Sequence, residues 1–351
     1  MAHKLAFIGF GVVGQGLAEI LRDKKDALKH EEGFEGVIVA ISDLMKGSIY
    51  HPNGLDINTV LQVLKETGSL ENYPKTPGLV TGWDSLKTIR ETNADTIIEV
   101  SYTDVNTGQP AINHCKTAFE SGKNVVMTNK GPVALAYKEL SEIANKHDVY
   151  WGFEGTVMSG TPALRMPVVT LAGNDITEIR GILNGTTNYI LTKMEAEGVS
   201  YERALNEAQE LGFAEADPTS DVEGFDARYK IVILANYVMN VPLTVAEVSC
   251  KGITDITLKE IEEAKAEGKR WKLLAKVRKE DGEVIASIAP EKVKVTDPLA
   301  SINGATNAIT YECDLLGTVT LSGAGAGKVE TGFSLLIDLI NIDRERQLAK
   351  I

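Results

Sequence analysis

The chain has 351 residues, 43% of them hydrophobic and 24% charged, which is typical of a folded globular protein and excludes disordered and fibrous classes. At roughly 150 residues per domain, this length predicts at least two domains. The formal net charge of −13 disfavours binding to nucleic acid and to anionic membrane surfaces, because a negative field repels phosphate groups.

The sequence has no pattern typical of a secretion signal or a membrane span. Its N-terminus passes from Lys4 directly into an apolar stretch with glycines and has no cleavage site. The most apolar segment, 231–246, contains two asparagines and a proline and is shorter than the roughly 20 residues that a bilayer requires. Three widely separated cysteines exclude a CxxC metal cluster and favour a reducing compartment. We therefore expect a soluble, cytoplasmic protein.

The first 130 residues have the alternating pattern of a dinucleotide-binding fold. Four short apolar segments, separated by helical ones, predict strands at 4–8, 37–42, 96–100 and 124–128. This alternation is typical of a Rossmann-type, doubly wound parallel sheet. We assign residues 1–135 to a dinucleotide-binding domain.

The first strand is followed directly by a GxGxxG motif, made of Gly9, Phe10, Gly11, Val12, Val13 and Gly14. In such a motif the first glycine permits a tight turn, and the second lets backbone N–H groups approach a pyrophosphate. The third lets the following helix pack closely on the strand. Because the motif stands between a strand and a helix, it predicts an NAD or NADP site.

Asp43, at the end of the second predicted strand, is the candidate ribose ligand, although a charged insertion places it later than the usual 20 residues. A carboxylate there favours NAD. Lys46 nearby offers a cation for the 2′-phosphate of NADP, so both cofactors stay open.

After residue 135 the regular alternation stops, which predicts an α+β domain for catalysis and dimerisation over 136–320. We expect the C-terminal segment, 321–351, to pack back on the dinucleotide-binding domain. Helices are predicted over 136–146 and 332–344, and a strand is predicted to end at Phe153.

The longest helix of the second domain is predicted to begin near Asp221 and to run through Lys230 to Met239. Because residues 231–239 are apolar on nearly every face, we expect this helix to be buried.

The stretch GFAEADPTSDVEGFDARYK, 212–230, places five acids ahead of Lys230. One interpretation is an acidic helix N-terminus with an ordinary surface pair of Asp226 and Lys230 at i,i+4. The other follows from its position before a buried helix, where both side chains are partly desolvated. Burial lowers the pKa of a lysine from about 10.4, so that it can exchange a proton near neutral pH.

Two more motifs have both a functional and an ordinary interpretation. The strand at 124–128 carries Lys130 to the carboxyl edge of the sheet, where ligands bind in open α/β folds, unless this lysine is a surface residue. The glycine-rich stretch 153–162 leaves carbonyl oxygens free beside Glu154, a donor set that suits a hard cation, unless it is a tight loop. Residues 184–188, NGTTN, either line a cleft or form a turn.

Taken together, these motifs resemble those of the homoserine dehydrogenase family over nearly the whole chain. The resemblance rests on the 212–230 stretch and on EGTVMSGTP, GILNGTTNYIL, VVMTNKGP and the terminal GAGAG. It implies NAD(P)-dependent interconversion of L-homoserine and L-aspartate 4-semialdehyde, a step of threonine and methionine biosynthesis. It also implies a homodimer.

The resemblance assigns roles by motif position. Lys230 would give or take the proton at the reacting oxygen, with Lys130 as its partner near the nicotinamide. Glu215 and Asp226 would hold the substrate's ammonium group, with Asp221 supporting them.

The resemblance also implies roles for backbone groups. A sodium ion that orders the joint between the domains would be held by the Glu154 carboxylate and by the carbonyls of Val157, Ser159 and Thr161. Gly212 and Gly327 would close the cleft around cofactor and substrate.

One position departs from the family pattern: Lys328 follows GAGAG where a small residue is expected, and it either alters the cleft or points to solvent. We expect no appended regulatory domain and no threonine feedback through one. Three alternatives are a dehydrogenase of another amino-acid-like alcohol, a non-catalytic NAD(P) sensor, and a semialdehyde dehydrogenase with a catalytic thiolate. The last is disfavoured because no cysteine lies in a motif.

Overall fold

The computed structural model describes residues 2–348, which form two compact units, each with its own sheet. The first unit comprises residues 2–156 and 327–348, and the second comprises Val157–Ala326. Both boundaries lie further along the chain than the sequence boundaries at 135 and 320. The reason at the first boundary is that the helix Lys130–Lys146 continues past residue 135, and that the strand Trp151–Gly152 still pairs in the sheet of the first unit.

The sheet of the first unit has the order β4-β3-β2-β1-β5-β6-β7. Its strands are β1 (His3–Ile8), β2 (Gly36–Asp43), β3 (Gly47–Tyr50), β4 (Val80–Thr81), β5 (Thr96–Glu99), β6 (Asn124–Met127) and β7 (Trp151–Gly152). Strand β1 pairs in parallel with both β2 and β5, and β5, β6 and β7 continue in parallel. The Rossmann-type prediction is confirmed, since the four predicted strands correspond to β1, β2, β5 and β6.

One edge of this sheet differs from a purely parallel arrangement. Strands β3 and β4 run antiparallel to their neighbours. Only residues 44–46 separate β2 from β3, and so short a connection makes a hairpin, whereas a parallel strand needs a crossover of a dozen residues or more. The sheet is therefore mixed.

The helices of the first unit are α1 (Val12–Asp23), α2 (Lys25–Glu31), α3 (Ile57–Thr67), α4 (Ser85–Glu91), α5 (Ala111–Glu120), α6 (Lys130–Lys146) and α12 (Lys328–Leu348). Helix α6 begins earlier than the predicted residue 136, and a break in helical geometry at Ala136 divides it. Pro132 is tolerated in its first turn, where a backbone N–H has no helical partner in any case. Helix α12 likewise begins before the predicted residue 332.

The core of the first unit joins the strands to α1 and α12. Phe7 and Phe10 are fully buried and meet edge to face, with ring centroids 5.4 Å apart. Leu335 and Leu339 of α12 belong to the same buried cluster. The C-terminal helix thus completes the core of the unit that contains the N-terminus.

The second unit has a six-stranded sheet with the order β13-β12-β8-β10-β11-β9. Its strands are β8 (Ile176–Ile182), β9 (Ser249–Cys250), β10 (Lys269–Glu280), β11 (Glu283–Lys294), β12 (Thr306–Cys313) and β13 (Gly317–Ala324). Its helices are α7 (Gly185–Glu197), α8 (Tyr201–Glu210), α9 (Thr219–Val222), α10 (Phe225–Tyr237) and α11 (Leu258–Ala266). All its strand pairs except β9 with β11 are antiparallel, which confirms the α+β prediction.

The helix predicted to begin near Asp221 begins instead at Phe225, so that prediction was wrong by one turn. Gly224 has a φ of +82°, a left-handed conformation that ends the short α9 and starts α10 in a new direction. Residues 231–235 are buried, as predicted. Helix α10 is not longer than α7, since each has 13 residues.

Within residues 2–348, every helix is too short or too polar to cross a membrane.

Candidate active site

The glycine-rich turn after β1 has the geometry that its sequence predicts. Gly9 has a φ of +87°, and a Cβ added to it would lie 2.5 Å from the carbonyl oxygen of Val100. A Cβ at Gly14 would lie 3.3 Å from the carbonyl oxygen of Gly9, whereas one at Gly11 would meet nothing within 4 Å. The turn is therefore closed at its first and third glycines and open at its second.

The N-terminus of α1 suits an anion. Gly11 caps the helix without a side chain, and its first turn contains no acidic residue. The first backbone N–H groups of a helix lack helical acceptors and carry the positive end of its dipole. Val12 is 65% exposed here, whereas the Phe10 side chain is buried, so Phe10 can face a ligand only through its backbone.

Asp43 is tied to this turn by hydrogen bonds. Its carboxylate accepts from the backbone N–H of Phe10 at 2.7 Å and from those of Met45 and Lys46 at 3.0 Å each. The Lys46 ammonium lies 3.5 Å from the same carboxylate. Burial alone would raise the pKa of Asp43, but these N–H groups and the ammonium lower it overall. The end of β2 therefore presents a fixed anion beside the glycine turn.

Lys130 is the first residue of α6, three positions beyond the end of β6 and so at the carboxyl edge of the sheet. Asn129, before it, occupies the N-cap position, but its side chain does not cap the helix. Instead its amide donates to the carboxylate of Glu99 and to the carbonyl oxygen of Ser101. The position of Lys130 is thus set by contacts of its neighbour.

In the second unit, Asp221, Asp226, Lys230, Asn184 and Thr186 form one connected group, here called the acid–lysine cluster. Lys230, 7% exposed, donates to the Asp226 carboxylate and to the carbonyl oxygen of Leu183, both at 2.6 Å. Asn184 donates to Asp221 at 2.7 Å and to Asp226 at 3.1 Å. Thr186 donates to Asp221 at 2.9 Å. The predicted i,i+4 pair therefore exists, and it is not a surface pair.

The cluster has two carboxylates against one ammonium group. The pKa of Asp221 is raised by burial and by the charge of Asp226, although hydrogen bonds from Asn184 and Thr186 oppose this. Two acidic side chains beside one lysine are a suitable place for a further cation.

The other predicted substrate residues, Glu215 and Gly212, lie in the exposed segment between α8 and α9. Gly212 has a φ of +77°, which a glycine adopts without strain at the end of α8. The backbone carbonyl of Glu215 accepts from Gln209 at 2.9 Å. The structure leaves the Glu215 side chain in solvent.

The predicted sodium ligands fall on both sides of the boundary between the two units, which lies after residue 156. Glu154, 4% exposed, belongs to the first unit, and its backbone N–H donates to Asp338 at 3.0 Å. Val157, Ser159 and Thr161 belong to the second unit. Met158 and Ser159 both have positive φ, at 57° and 54°, so the chain turns sharply there. The carbonyl of Thr161 accepts from the Ala163 N–H at 2.7 Å.

At the start of α12, Gly327 has a φ of +138°, a conformation that favours glycine. Lys328, the residue that departs from the family pattern, forms an ion pair with Glu19 of α1 at 2.7 Å. It therefore ties the start of α12 to α1 within the first unit.

Comparison with known proteins decides the family. The family model for homoserine dehydrogenase matches residues 162–340. An NAD(+)-dependent homoserine dehydrogenase from Pseudomonas canavaninivorans is 45% identical over 97% of this chain and 96% of its own length. A homoserine dehydrogenase from Methanocaldococcus jannaschii is 44% identical over 96% of this chain and 98% of its own.

The chain belongs to the homoserine dehydrogenase family.

The fold of the family agrees as well. The structure of a hyperthermophilic archaeal homoserine dehydrogenase in complex with NADPH is 30% identical, with a TM-score of 0.83, and covers 98% of both chains. The resemblance stated from the motifs is thus confirmed, as is its implication of an NAD(P)-dependent oxidoreductase class. The roles of individual residues are a separate question, which the family assignment leaves as predictions.

Sequence reasoning missed two parts of the site. It left the 184–188 segment open, whereas Asn184 and Thr186 hold Asp221 and Asp226 in place. The available signal was the N-cap preference of asparagine before α7. It also missed Glu99, whose contact with Asn129 joins residues 30 positions apart.

Proposed function

We propose that this chain catalyses the NAD(P)-dependent interconversion of L-homoserine and L-aspartate 4-semialdehyde. In this proposal the first unit binds the dinucleotide and the second unit binds the amino-acid substrate. The observation that carries it is the acid–lysine cluster, because it combines a proton donor with a site for an ammonium group.

Lys230 is the proposed acid and base. A protonated lysine has three N–H donors, and two of them are directed to Asp226 and to the carbonyl of Leu183. No described residue accepts from the third, which is therefore available to the oxygen of a bound aldehyde. In the oxidation direction, the neutral amine takes the hydroxyl proton of homoserine.

Asp226 and Asp221 are the proposed ligands of the substrate's ammonium group. Two half-buried carboxylates beside one lysine attract a further cation, and charge-assisted hydrogen bonds to carboxylates are the strong ones. Glu215, whose side chain is exposed, is proposed to add a third carboxylate. Gly212, in the same segment, is proposed to lie beside the substrate. Recognition of an α-amino group is what favours an amino-acid-like alcohol over a simple one.

The glycine turn is the proposed dinucleotide site, with Gly9, Gly11 and Gly14 and the backbone of residues 10, 12 and 13 around the pyrophosphate. The open space at Gly11 and the uncapped N-terminus of α1 fit such an anion. A bound nicotinamide supplies the hydride chemistry. Lys130 is proposed to lie near its ring, and Gly327 to adjoin the cofactor.

A thiolate-dependent semialdehyde dehydrogenase is the weaker enzyme candidate. Burial raises the pKa of Cys115 well above its ordinary value, and it also raises the pKa values of Cys250 and Cys313. A raised pKa opposes the thiolate that such a mechanism requires.

The test is an assay of NADH or NADPH formation at 340 nm with L-homoserine, run beside L-serine and 1-propanol. The proposal predicts turnover with homoserine and little with 1-propanol, which lacks the ammonium group. Nucleotide binding without turnover would instead indicate a sensor. A variant with all three cysteines replaced by alanine should keep its activity, and its loss would favour the thiolate mechanism.

We propose NAD as the preferred cofactor, because the Asp43 carboxylate repels a 2′-phosphate while accepting from a ribose hydroxyl. Replacing Asp43 by Asn should reduce the ratio of kcat/KM for NAD to that for NADP by about tenfold, the value of one charged hydrogen bond. Asp84→Asn, a helix cap on the surface, is the matched control. An unchanged ratio would contradict the role of Asp43.

We further propose that the chain forms a homodimer through the six-stranded sheet. Strand β13 lies at an edge of that sheet, and Leu315 and Leu316 beside it are exposed. Light scattering after size exclusion tests this, and a monomer at micromolar concentration would contradict it. The sodium site stays a prediction, checked by comparing thermal stability in NaCl and in choline chloride.

A further inference from the structure

Glu99 is a buried carboxylate that the proposed reaction does not use. It is the last residue of β5, at the carboxyl edge of the first sheet, and is 0% exposed. Among residues 2–348, no lysine or arginine lies within ion-pair distance of it. A buried carboxylate is strongly unfavourable unless its partners satisfy it, so the donors around Glu99 are informative.

Three neighbouring residues supply those donors. The amide of Asn129 donates to one oxygen, Oε2. The other, Oε1, accepts from the hydroxyl of Ser101 and from Nδ1 of His114, the latter at 3.0 Å. Because a carboxylate only accepts, Nδ1 of His114 carries a proton, and Nε2 then meets the hydroxyl of Ser85 at 2.9 Å.

The contact with Asn129 bears directly on Lys130. An asparagine at an N-cap normally accepts from the backbone of the first helical turn, which stabilises the helix start. Here that side chain is turned toward Glu99 and toward the carbonyl of Ser101, at 2.9 Å from the latter. Glu99 thus fixes Asn129, the residue directly before Lys130 and the start of α6.

The contact with Ser101 bears on the glycine turn. A Cβ added at Gly9 would lie 2.7 Å from both the Cα and the N of Ser101, so the two backbones touch. Strand β1 pairs with β5 as far as Ile8 and Glu99, which brings these two chain ends together. One carboxylate therefore joins the segment against the glycine turn to the segment that starts at Lys130.

We propose that Glu99 is a positioning residue that sets Lys130 relative to the glycine turn, acting through Asn129. This inference rests on the proposed function, in which the turn binds the dinucleotide and Lys130 lies near the nicotinamide. Glu99 itself touches neither substrate nor cofactor, since it is fully buried. Its loss should therefore affect turnover more than cofactor affinity.

The experiment reverses the polarity of the contact. Glu99→Gln replaces an acceptor by a donor, and Asn129→Asp places two carboxylates face to face. In the double variant, the amide at position 99 donates to the carboxylate at position 129, so that bond is restored. The bond from residue 129 to the Ser101 carbonyl stays lost, because a carboxylate cannot donate. Ser85→Ala is the matched control, because it removes a bond at the far end of the same chain of contacts and leaves Asn129 untouched.

Each single variant should lower kcat by about tenfold, the value of one charged hydrogen bond. The dissociation constant for NADH, measured by fluorescence, should stay within about threefold, and the double variant should recover part of the lost turnover. Ser85→Ala should stay within about twofold in kcat. Wild-type turnover in both single variants, or a double variant no better than the worse single one, would overturn the proposal.

A second readout keeps the inference separate from the proposed function. Amide hydrogen exchange in the first turn of α6 should be faster in Asn129→Ala than in the wild type, and unchanged in Ser85→Ala. Asn129→Ala changes a partly exposed side chain, so it should fold even where Glu99→Gln does not. Equal exchange in all three proteins would overturn the role of Glu99, whereas a wild type inactive on homoserine would refute only the proposed function.

Discussion

Two lysines are buried in the second unit, and they differ in what holds their ammonium groups. Lys230 is paired with the carboxylate of Asp226 at 2.6 Å. Lys272 of β10, 1% exposed, donates only to neutral oxygens: the amide oxygen of Asn188 at 3.0 Å and the carbonyl of Ile302. Burial lowers the pKa of Lys272 to about 8.

Burial alone therefore does not distinguish the two lysines, whereas their partners do. Lys272 has the lowered pKa that is often taken as a sign of function, but its partners are Asn188 of α7 and the carbonyl of Ile302, in the loop before β12, so it joins that loop to α7. Lys230 has an acidic partner, a second acid nearby and an unused N–H. These partners favour the proposed catalytic role for Lys230 and a role in stability for Lys272.

The largest loss of turnover is expected for Asp226→Asn, which removes the feature that distinguishes Lys230 from Lys272. The change leaves the Lys230 ammonium without its anion, and general acid–base catalysis is typically worth 10²-fold or more, so kcat should fall by about 10²-fold. The comparison variant is Asp217→Asn, whose carboxylate only accepts from Thr219 on the surface. If both variants had the same kcat, the carboxylate partner of Lys230 would have no special role.

A smaller effect is expected at Asp221, and it depends on pH. Since burial and Asp226 raise the pKa of Asp221, this group is protonated over part of the range above its ordinary value of 3.8. Only the ionised form attracts an ammonium group, so KM for homoserine should fall as pH rises through the raised pKa. Asp221→Asn should remove this dependence and raise KM at neutral pH by about tenfold.

A pH profile of KM for the two proteins checks this expectation. Identical profiles in wild type and Asp221→Asn would contradict a role of Asp221 in binding the ammonium group, and would leave Asp226 as its ligand in the cluster.

The smallest effect on turnover is expected for Lys272→Met, with kcat within about twofold of the wild type. The effect should appear in stability instead. Because the fold lowers this pKa from 10.5 to about 8, the folded state releases the proton first, and stability from Lys272 rises with pH between these values. The free energy of unfolding of the wild type, relative to the variant, should increase by about 2 kcal/mol from pH 7 to pH 10.

Urea unfolding at the two pH values measures that difference. A loss of turnover in Lys272→Met without a change in stability would contradict the assignment of Lys272 to stability.

Some of this site could be predicted from the sequence because the contacts are local. The glycine turn is contiguous, and Asp226 and Lys230 are four positions apart on one helix, so periodicity alone brings them together. The hairpin of β2 and β3 also has a local signal, the short connection of three residues before Gly47. The alternation of strands and helices nevertheless predicts a parallel sheet, so the antiparallel β3 is not predicted.

The rest depends on contacts between distant segments, which one sequence does not reveal. Asn184, directly before α7, reaches Asp221 of α9 and Asp226 of α10 only because the fold brings these helices together. Glu99 meets Asn129 only because β5 and β6 pair. The start of α10 was misplaced because the acidic pattern continues across Gly224, where the backbone changes direction.

The most direct test of the account is the rate of NADH oxidation by L-aspartate 4-semialdehyde in a single turnover, followed at 340 nm in Lys230→Met and Lys272→Met. We expect Lys230→Met to bind NADH still but to transfer hydride about 10²-fold more slowly, because the aldehyde oxygen receives no proton. Lys272→Met should match the wild type. A wild-type rate in Lys230→Met would contradict the assignment of the proton to this lysine.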